Sequence, residues 1–161
     1  MVNGINIGLA AVAKACSEVI EGCAHMDDHA LLTSTSASVM RAQVLVIDDN
    51  PQYAKIFELL SDELSIDAHV VASCGEALNH LQKQHCDLIL MDWLMPRVDG
   101  PCCTKKVRQL AKYKKLPIIA VTGHLQASYQ LCLQFGMDDY LPIPFTYEQL
   151  QEKLYHWLPK H

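Results

Sequence analysis

Three aspartates and a threonine stand directly after, or at the end of, apolar runs in this chain. Asp48 and Asp49 follow residues 43–47, Asp92 follows residues 87–91, and Thr122 follows residues 116–121. Three carboxylates gathered in one place repel one another and would not all ionise unaided. A hard divalent cation relieves that repulsion, and an all-oxygen donor set completed by water suits magnesium. An isolated Asp-Asp pair is more often a solvated turn. Its coincidence with Asp92 and Thr122, each at the carboxyl end of an apolar run, makes these residues a candidate site.

That site exists only if the chain brings the ends of those runs together. Residues 43–47 read QVLVI, a continuous apolar run expected of a strand buried on both faces. Pro51 then opens a helix whose inward stripe is expected to be Ile56, Leu59, Leu60 and Leu64. A second strand is predicted over residues 68–72. Ser73 is a plausible N-cap, with Glu76 three residues on, for a helix reaching about Gln84. Residues 87–91 form the third strand, and a turn with Pro96 and Gly100 leads to a helix over 102–113 with Val107 and Leu110 inward. A strand at 116–121, a helix at 127–135, a strand at 139–141 and a helix at 147–158 complete the pattern. Apolar strands alternating with helices imply an α/β fold, a five-stranded parallel sheet covered on both faces. Right-handed crossovers make the doubly wound topology the natural one. Ligands of such sheets sit outside the carboxyl ends of the strands, which is where Asp48, Asp49, Asp92 and Thr122 fall.

Four segments carry a family resemblance: Val-Leu-Val-Ile-Asp-Asp-Asn at 44–50, Asp-Leu-Ile-Leu-Met-Asp-Trp-Leu-Met-Pro-Arg-Val-Asp-Gly at 87–100, Pro-Ile-Ile-Ala-Val-Thr-Gly at 117–123 and Gly-Met-Asp-Asp-Tyr-Leu at 136–141. In this order and spacing they closely resemble bacterial two-component response-regulator receivers of the chemotaxis-regulator kind, over roughly residues 43–158. The resemblance implies a flavodoxin-like strand order, 2-1-3-4-5. It implies that Asp92 accepts a phosphoryl group from a phosphohistidine of a histidine kinase or histidine phosphotransfer protein. It aligns Asp49 and Asp92 with direct Mg2+ ligands, joined by the Leu94 backbone carbonyl and by Asp48 through water. Thr122 and Tyr140 align with the switch residues that answer phosphorylation. Signalling would then run through contacts with a downstream protein target, without turnover of a separate substrate. Two departures stand out. The family has a lysine where this chain, reading Leu141-Pro142-Ile143-Pro144-Phe145, has Ile143, and no Lys or Arg occurs between Lys115 and Lys153. The stretch from Thr122 to Gly136 is also one residue shorter than the common pattern, which should reshape the following loop or helix.

The rest of the chain narrows the alternatives. Half of the 161 residues are hydrophobic, 19% are charged and the net charge is -5, as for a globular protein with no basic stripe for nucleic acid. Lys105, Lys106, Arg108, Lys112, Lys114 and Lys115 fall at helical spacing and read as one solvated face. Seven cysteines without a repeated framework read as reduced thiols, with Cys102 and Cys103 as small packing residues and the cytoplasm as the compartment. No run is suited to a membrane. Residues 1–40 are expected to be an extension to the receiver at 41–161, helical over 1–24 and linker-like at 33–38. Packing or a homodimer is the preferred use of its helix. Within it, Gly4 to Ala10 is similar to the last glycine motif of histidine-kinase ATP-binding domains; the other nucleotide motifs are absent and ATP binding is not expected. Cys23, His25, Asp27 and His29 are too few and unrepeated for a metal site. No output domain is expected after Leu158. The competing readings are a pseudo-receiver that binds proteins without phosphorylation, and a phosphatase or flavoprotein on a similar fold. The last pair is disfavoured because Asp92-Trp93-Leu94 lacks a second acid and Asp-Asp-Asn-Pro is no phosphate cradle.

Overall fold

The computed structural model describes residues 41–123 and 129–159. The expected extension at 1–40, with its helix, linker, glycine motif and Cys/His cluster, lies outside the described residues, as does the first part of the helix expected from 127. The elements run β1 (Ala42–Ile47), α1 (Pro51–Leu60), β2 (Ile66–Val71), α2 (Cys74–Lys83), β3 (Leu88–Asp92), α3 (Gly100–Gln109), a 3-10 turn (Ala111–Tyr113), β4 (Ile118–Thr122), α4 (Tyr129–Gln134), β5 (Asp139–Pro142) and α5 (Tyr147–Trp157). The strands form one parallel sheet in the order β2-β1-β3-β4-β5, as expected.

Alternation along the buried strands splits the core into two layers. Leu45, Ile47, Ile89, Met91, Ile118 and Ala120 face α2, α3 and α4, where Leu81, Val107 and Cys132 meet them. Val44, Val46, Leu88, Leu90, Ile119 and Val121 face α1 and α5, against Phe57 and Leu154. Each fully buried Leu, Ile or Val contributes about 1.5–3 kcal/mol relative to exposure, so the central strands hold most of the driving force. α1, α3 and α5 start on side-chain caps: Asn50 accepts from Gln52 N at 3.0 Å, Asp99 from Cys102 N at 2.8 Å, and Thr146 forms a reciprocal box with Gln149. Ser73 caps α2 as expected, accepting from Glu76 N at 3.3 Å.

Several expectations need correcting. Leu59 is 55% exposed, and the inward residues of α1 are Tyr53, Phe57 and Leu60, with Ile56 half-buried. Leu59 lies about 100° around the helix from Leu60, too far to share a narrow stripe. β2 starts at Ile66, two residues early, because Ser65 turns the chain at φ 53°. α3 starts at Gly100 rather than Cys102, because Asp99 caps it. Arg108 is not part of a solvated face. Its Nε donates to Gly136 O at 2.9 Å, Nη1 to Leu116 O at 2.6 Å and Tyr113 O at 3.2 Å, and Nη2 to Asp138 Oδ2 at 2.6 Å. The planar guanidinium thus ties α3, the strand entry at β4 and the α4–β5 turn together. Finally, not all cysteines are free thiols: Cys74 and Cys103 form a disulfide with Cα atoms 5.6 Å apart, within the normal range for a bridge. Sequence spacing concealed it because successive crossovers on one sheet face set the first turns of α2 and α3 side by side. Cys86, Cys102 and Cys132 are free. Among the described residues no helix is long and apolar enough to cross a membrane.

Candidate functional site

The register of the sheet assembles the site. Ile47 of β1 lies opposite Met91 of β3, so the next residues, Asp48 and Asp92, leave neighbouring strands at the same level. Asp92 in turn lies opposite Val121, one residue before Thr122. One carboxylate oxygen from each of Asp48, Asp49 and Asp92 lies within 4.8 Å of the others, and this trio is the metal-competent acidic cluster among the described residues. None of the ion pairs among the described residues reaches it.

Local chemistry holds each acid in place. Asp48 is 7% exposed; its N–H donates to Val71 O at 3.0 Å, and its Oδ1 accepts from Asn50 N at 2.8 Å. Asn50 is thereby set to cap α1, so the Asp-Asp-Asn-Pro run both ends a strand and begins a helix. Asp49 is exposed. The half-buried Asp92 carboxylate accepts from the backbone N–H groups of Leu94 and Trp93. Burial pushes the Asp48 carboxyl up to about 7, opposed by the Asn50 N–H and reinforced by the charges of Asp92 and Asp49. Burial likewise pushes Asp92 up to about 6, opposed by the Leu94 and Trp93 N–H groups and reinforced by Asp49. Proximity to a cation reverses both shifts, so the donor chemistry fits a hard divalent ion bound to all-oxygen ligands.

Two neighbours were not anticipated. The Tyr53 phenol is pushed up to about 12 by burial and by the charges of Asp48 and Asp92, so it lies within their electrostatic reach. The signal was its position on the inward side of the helix opened by Pro51, one turn beyond the aspartates. Gly100 supplies the second: its N–H donates to Trp93 O at 3.0 Å, and a Cβ there would fall on the Asp92 carbonyl oxygen. Only glycine lets α3 start this close to the end of β3. Trp93 itself packs edge-on against Phe135, with ring centroids 5.8 Å apart.

The remaining expected residues are distributed as follows. Thr122 ends β4, 2% exposed, opposite Pro142 of β5. The Leu94 side chain is 57% exposed while its N–H serves Asp92. Tyr140 pairs with Ala120, two residues back from Thr122, and packs half-buried against the α2–α4 layer. Ile143 donates its N–H to Thr122 O at 3.0 Å and packs against the α1/α5 layer. Its Cβ would lie 3.8 Å from a Cβ built on Gly123, so an apolar side chain stands beside the end of β4.

The family model for the response regulator receiver domain matches residues 44–155. The sensor histidine kinase GacS of Pseudomonas protegens is 35% identical over 119 residues, which is 71% of this chain and 13% of that kinase. The signal transduction histidine-protein kinase BarA of Escherichia coli is 32% identical over 136 residues, 84% of this chain and 15% of that kinase. The chain therefore spans only a small part of the curated relatives it matches. Among solved structures, the receiver domain of sensor histidine kinase PA1611 from Pseudomonas aeruginosa, with a magnesium ion coordinated in its active-site cleft, superposes with a TM-score of 0.67 at 34% identity, over 73% of this chain and 98% of that one. The chemotaxis response regulator CheY4 of Vibrio cholerae gives a TM-score of 0.68 at 28% identity, over 74% and 100%. Sheet order, the acidic cluster at the strand ends and these matches agree: the chain belongs to the response regulator receiver domain family of two-component signalling.

Proposed function

We propose that this receiver accepts a phosphoryl group from a phosphohistidine onto Asp92, with Mg2+ held by Asp49, Asp92 and the Leu94 carbonyl, and by Asp48 through water. The observation that carries the reading is the cluster of three acids within 4.8 Å, without an ion-pair partner among the described residues, at the carboxyl ends of β1 and β3. An Asp92 oxygen attacks phosphorus, the phosphorus–nitrogen bond to the donor imidazole breaks, and an acyl phosphate results. Bound magnesium would supply neutralisation of the phosphoryl oxygens as charge spreads over them. The Trp93 and Leu94 N–H groups orient the attacking carboxylate, and Thr122, at the end of the adjacent strand, offers its hydroxyl to the product, with Tyr140 following it.

The donor is a histidine kinase or a histidine phosphotransfer protein, the setting cytoplasmic, and the output a contact with another protein or a second copy of this one. The kinase relatives support that donor class. Incubation with acetyl phosphate or phosphoramidate and Mg2+ should add one base-labile phosphoryl mass that Asp92→Asn removes. A label that persists in Asp92→Asn would overturn the assignment. Ile143 favours a second reading: a pseudo-receiver that keeps the acidic pocket but binds partners without phosphorylation. A wild type that never labels, even from a phosphohistidine donor, selects it.

A further inference from the structure

The proposed phosphotransfer makes no use of the Cys74–Cys103 disulfide, yet the bridge is built next to it. Cys74 is the first residue of α2, and Cys103 lies in the first turn of α3. That turn is fastened to the residue just after the acceptor strand by the Gly100 N–H bond to Trp93 O. Cys74, Cys103, Trp93 and Met95 belong to one buried cluster. The segment from Trp93 to Asp99, which leaves Asp92 and leads into α3, is therefore anchored at its far end by whatever holds Cys103.

We propose that Cys74 and Cys103 form a reversible oxidation site, closed by a peroxide and reopened by a dithiol, that latches the Asp92 loop to α2. The latch is independent of the phosphoacceptor reading; its effect on phosphorylation rests on that reading. Where thiols are kept reduced, a disulfide of this kind is a transient sensor rather than a permanent staple. The Cα separation of 5.6 Å lies within the usual range for a bridge. Enclosure limits the reagent: Cys74 is 4% exposed and Cys103 0%, which admits a small peroxide at Cys74 but not a bulky protein disulfide.

The other described thiols have no sulfur partner: Cys86, Cys102 and Cys132 are free, and Cys86 donates to Leu88 O at 3.2 Å. In closing, the Cys74 sulfur attacks one peroxide oxygen, the O–O bond breaks and a first water leaves a sulfenic acid. The Cys103 sulfur then displaces that hydroxyl, the S–S bond forms and a second water departs with the thiol proton. Two thiols are oxidised and one peroxide is reduced. In reopening, a dithiol exchanges with the bridge and leaves as its own cyclic disulfide.

The test uses the full chain, reduced and then treated with hydrogen peroxide. Differential alkylation with peptide mapping should report a Cys74–Cys103 bond that dithiothreitol removes. Amide hydrogen exchange across residues 93–100 should slow by about tenfold in the oxidised form, as local opening of the loop is suppressed. Phosphoramidate labelling of Asp92 should differ severalfold between the two forms. Cys74→Ser should abolish the peroxide response of the exchange rates; if that variant does not fold, the comparison of wild-type redox forms decides alone. Free Cys74 and Cys103 after peroxide, a bond mapped to other cysteines, or equal exchange in both forms would each overturn the latch. If exchange responds but neither form labels, the latch stands and the phosphoacceptor reading fails.

Discussion

Asp48→Asn should flatten the pH dependence of stability that the metal-free protein carries. In the folded chain Asp48 holds its proton up to about pH 7, against 3.8 for an ordinary aspartate. An acid whose folded pKa is raised gives stability that is complete below the unfolded pKa and is lost as pH rises through the folded one. The folded form thus binds a proton that the unfolded chain has released, and stability falls between about pH 4 and 7 before levelling. One pKa unit corresponds to about 1.4 kcal/mol, so from pH 5 to 8 Asp48 should account for a loss of about 2–3 kcal/mol. Asp92, raised to about 6, adds roughly 1 kcal/mol in the same direction. His80 works weakly the other way, since burial and then His69 lower its pKa and favour its neutral form. Urea unfolding in EDTA at several pH values, on wild type and Asp48→Asn, isolates the aspartate. The asparagine Oδ1 can still accept from Asn50 N, so the turn survives. Adding Mg2+ should restore wild-type stability at pH 8 far more than at pH 5, because the ion binds ionised carboxylates. Parallel pH profiles for the two proteins in EDTA, or a Mg2+ effect independent of pH, would refute the reasoning.

Three further outcomes follow from individual contacts. Ile143→Lys places an ammonium beside the end of β4; a charge-assisted hydrogen bond of about 1.5–3 kcal/mol shifts a two-state population by roughly ten- to a hundredfold. Beryllofluoride with Mg2+ should therefore move the amide resonances of Thr122 and Tyr140 only partly in the wild type and further in Ile143→Lys; a wild type that already switches fully sinks the idea. Gly100→Ala drives a Cβ onto the Asp92 carbonyl oxygen and should lower stability by about 1–3 kcal/mol, read from the urea midpoint, while also impairing Mg2+ binding; a neutral alanine would show that α3 can retreat from β3. Arg108→Ala leaves the Gly136 and Leu116 carbonyls without this donor and removes the charged partner of the Asp138 carboxylate, which keeps the Ile118 N–H, at about 2–3 kcal/mol. Arg108→Lys should recover little of it, since a point charge cannot serve three acceptors in a plane; full rescue by lysine would contradict this.

The sequence alone determined the fold class and the acids of the site. Parallel strands buried on both faces must be continuous apolar runs, so VLVI, LILM and IIAV announce themselves, and a polar residue that ends such a run lies at the sheet's carboxyl edge. That made Asp48, Asp49, Asp92 and Thr122 legible as residues of one sheet edge. Tertiary structure alone decided the relations between residues far apart in the chain. Cys74 meets Cys103 across 29 positions because two crossovers land side by side. Arg108 turns inward because the α4–β5 turn and the entry to β4 offer it carbonyls that no local pattern reveals. Tyr53 comes within electrostatic reach of the acids, and Leu59 faces solvent, because the rotation of α1 is set by the cap at Asn50 and the layer beneath. Periodicity encodes which face of an element is buried; which groups then meet across that face depends on how the elements pack.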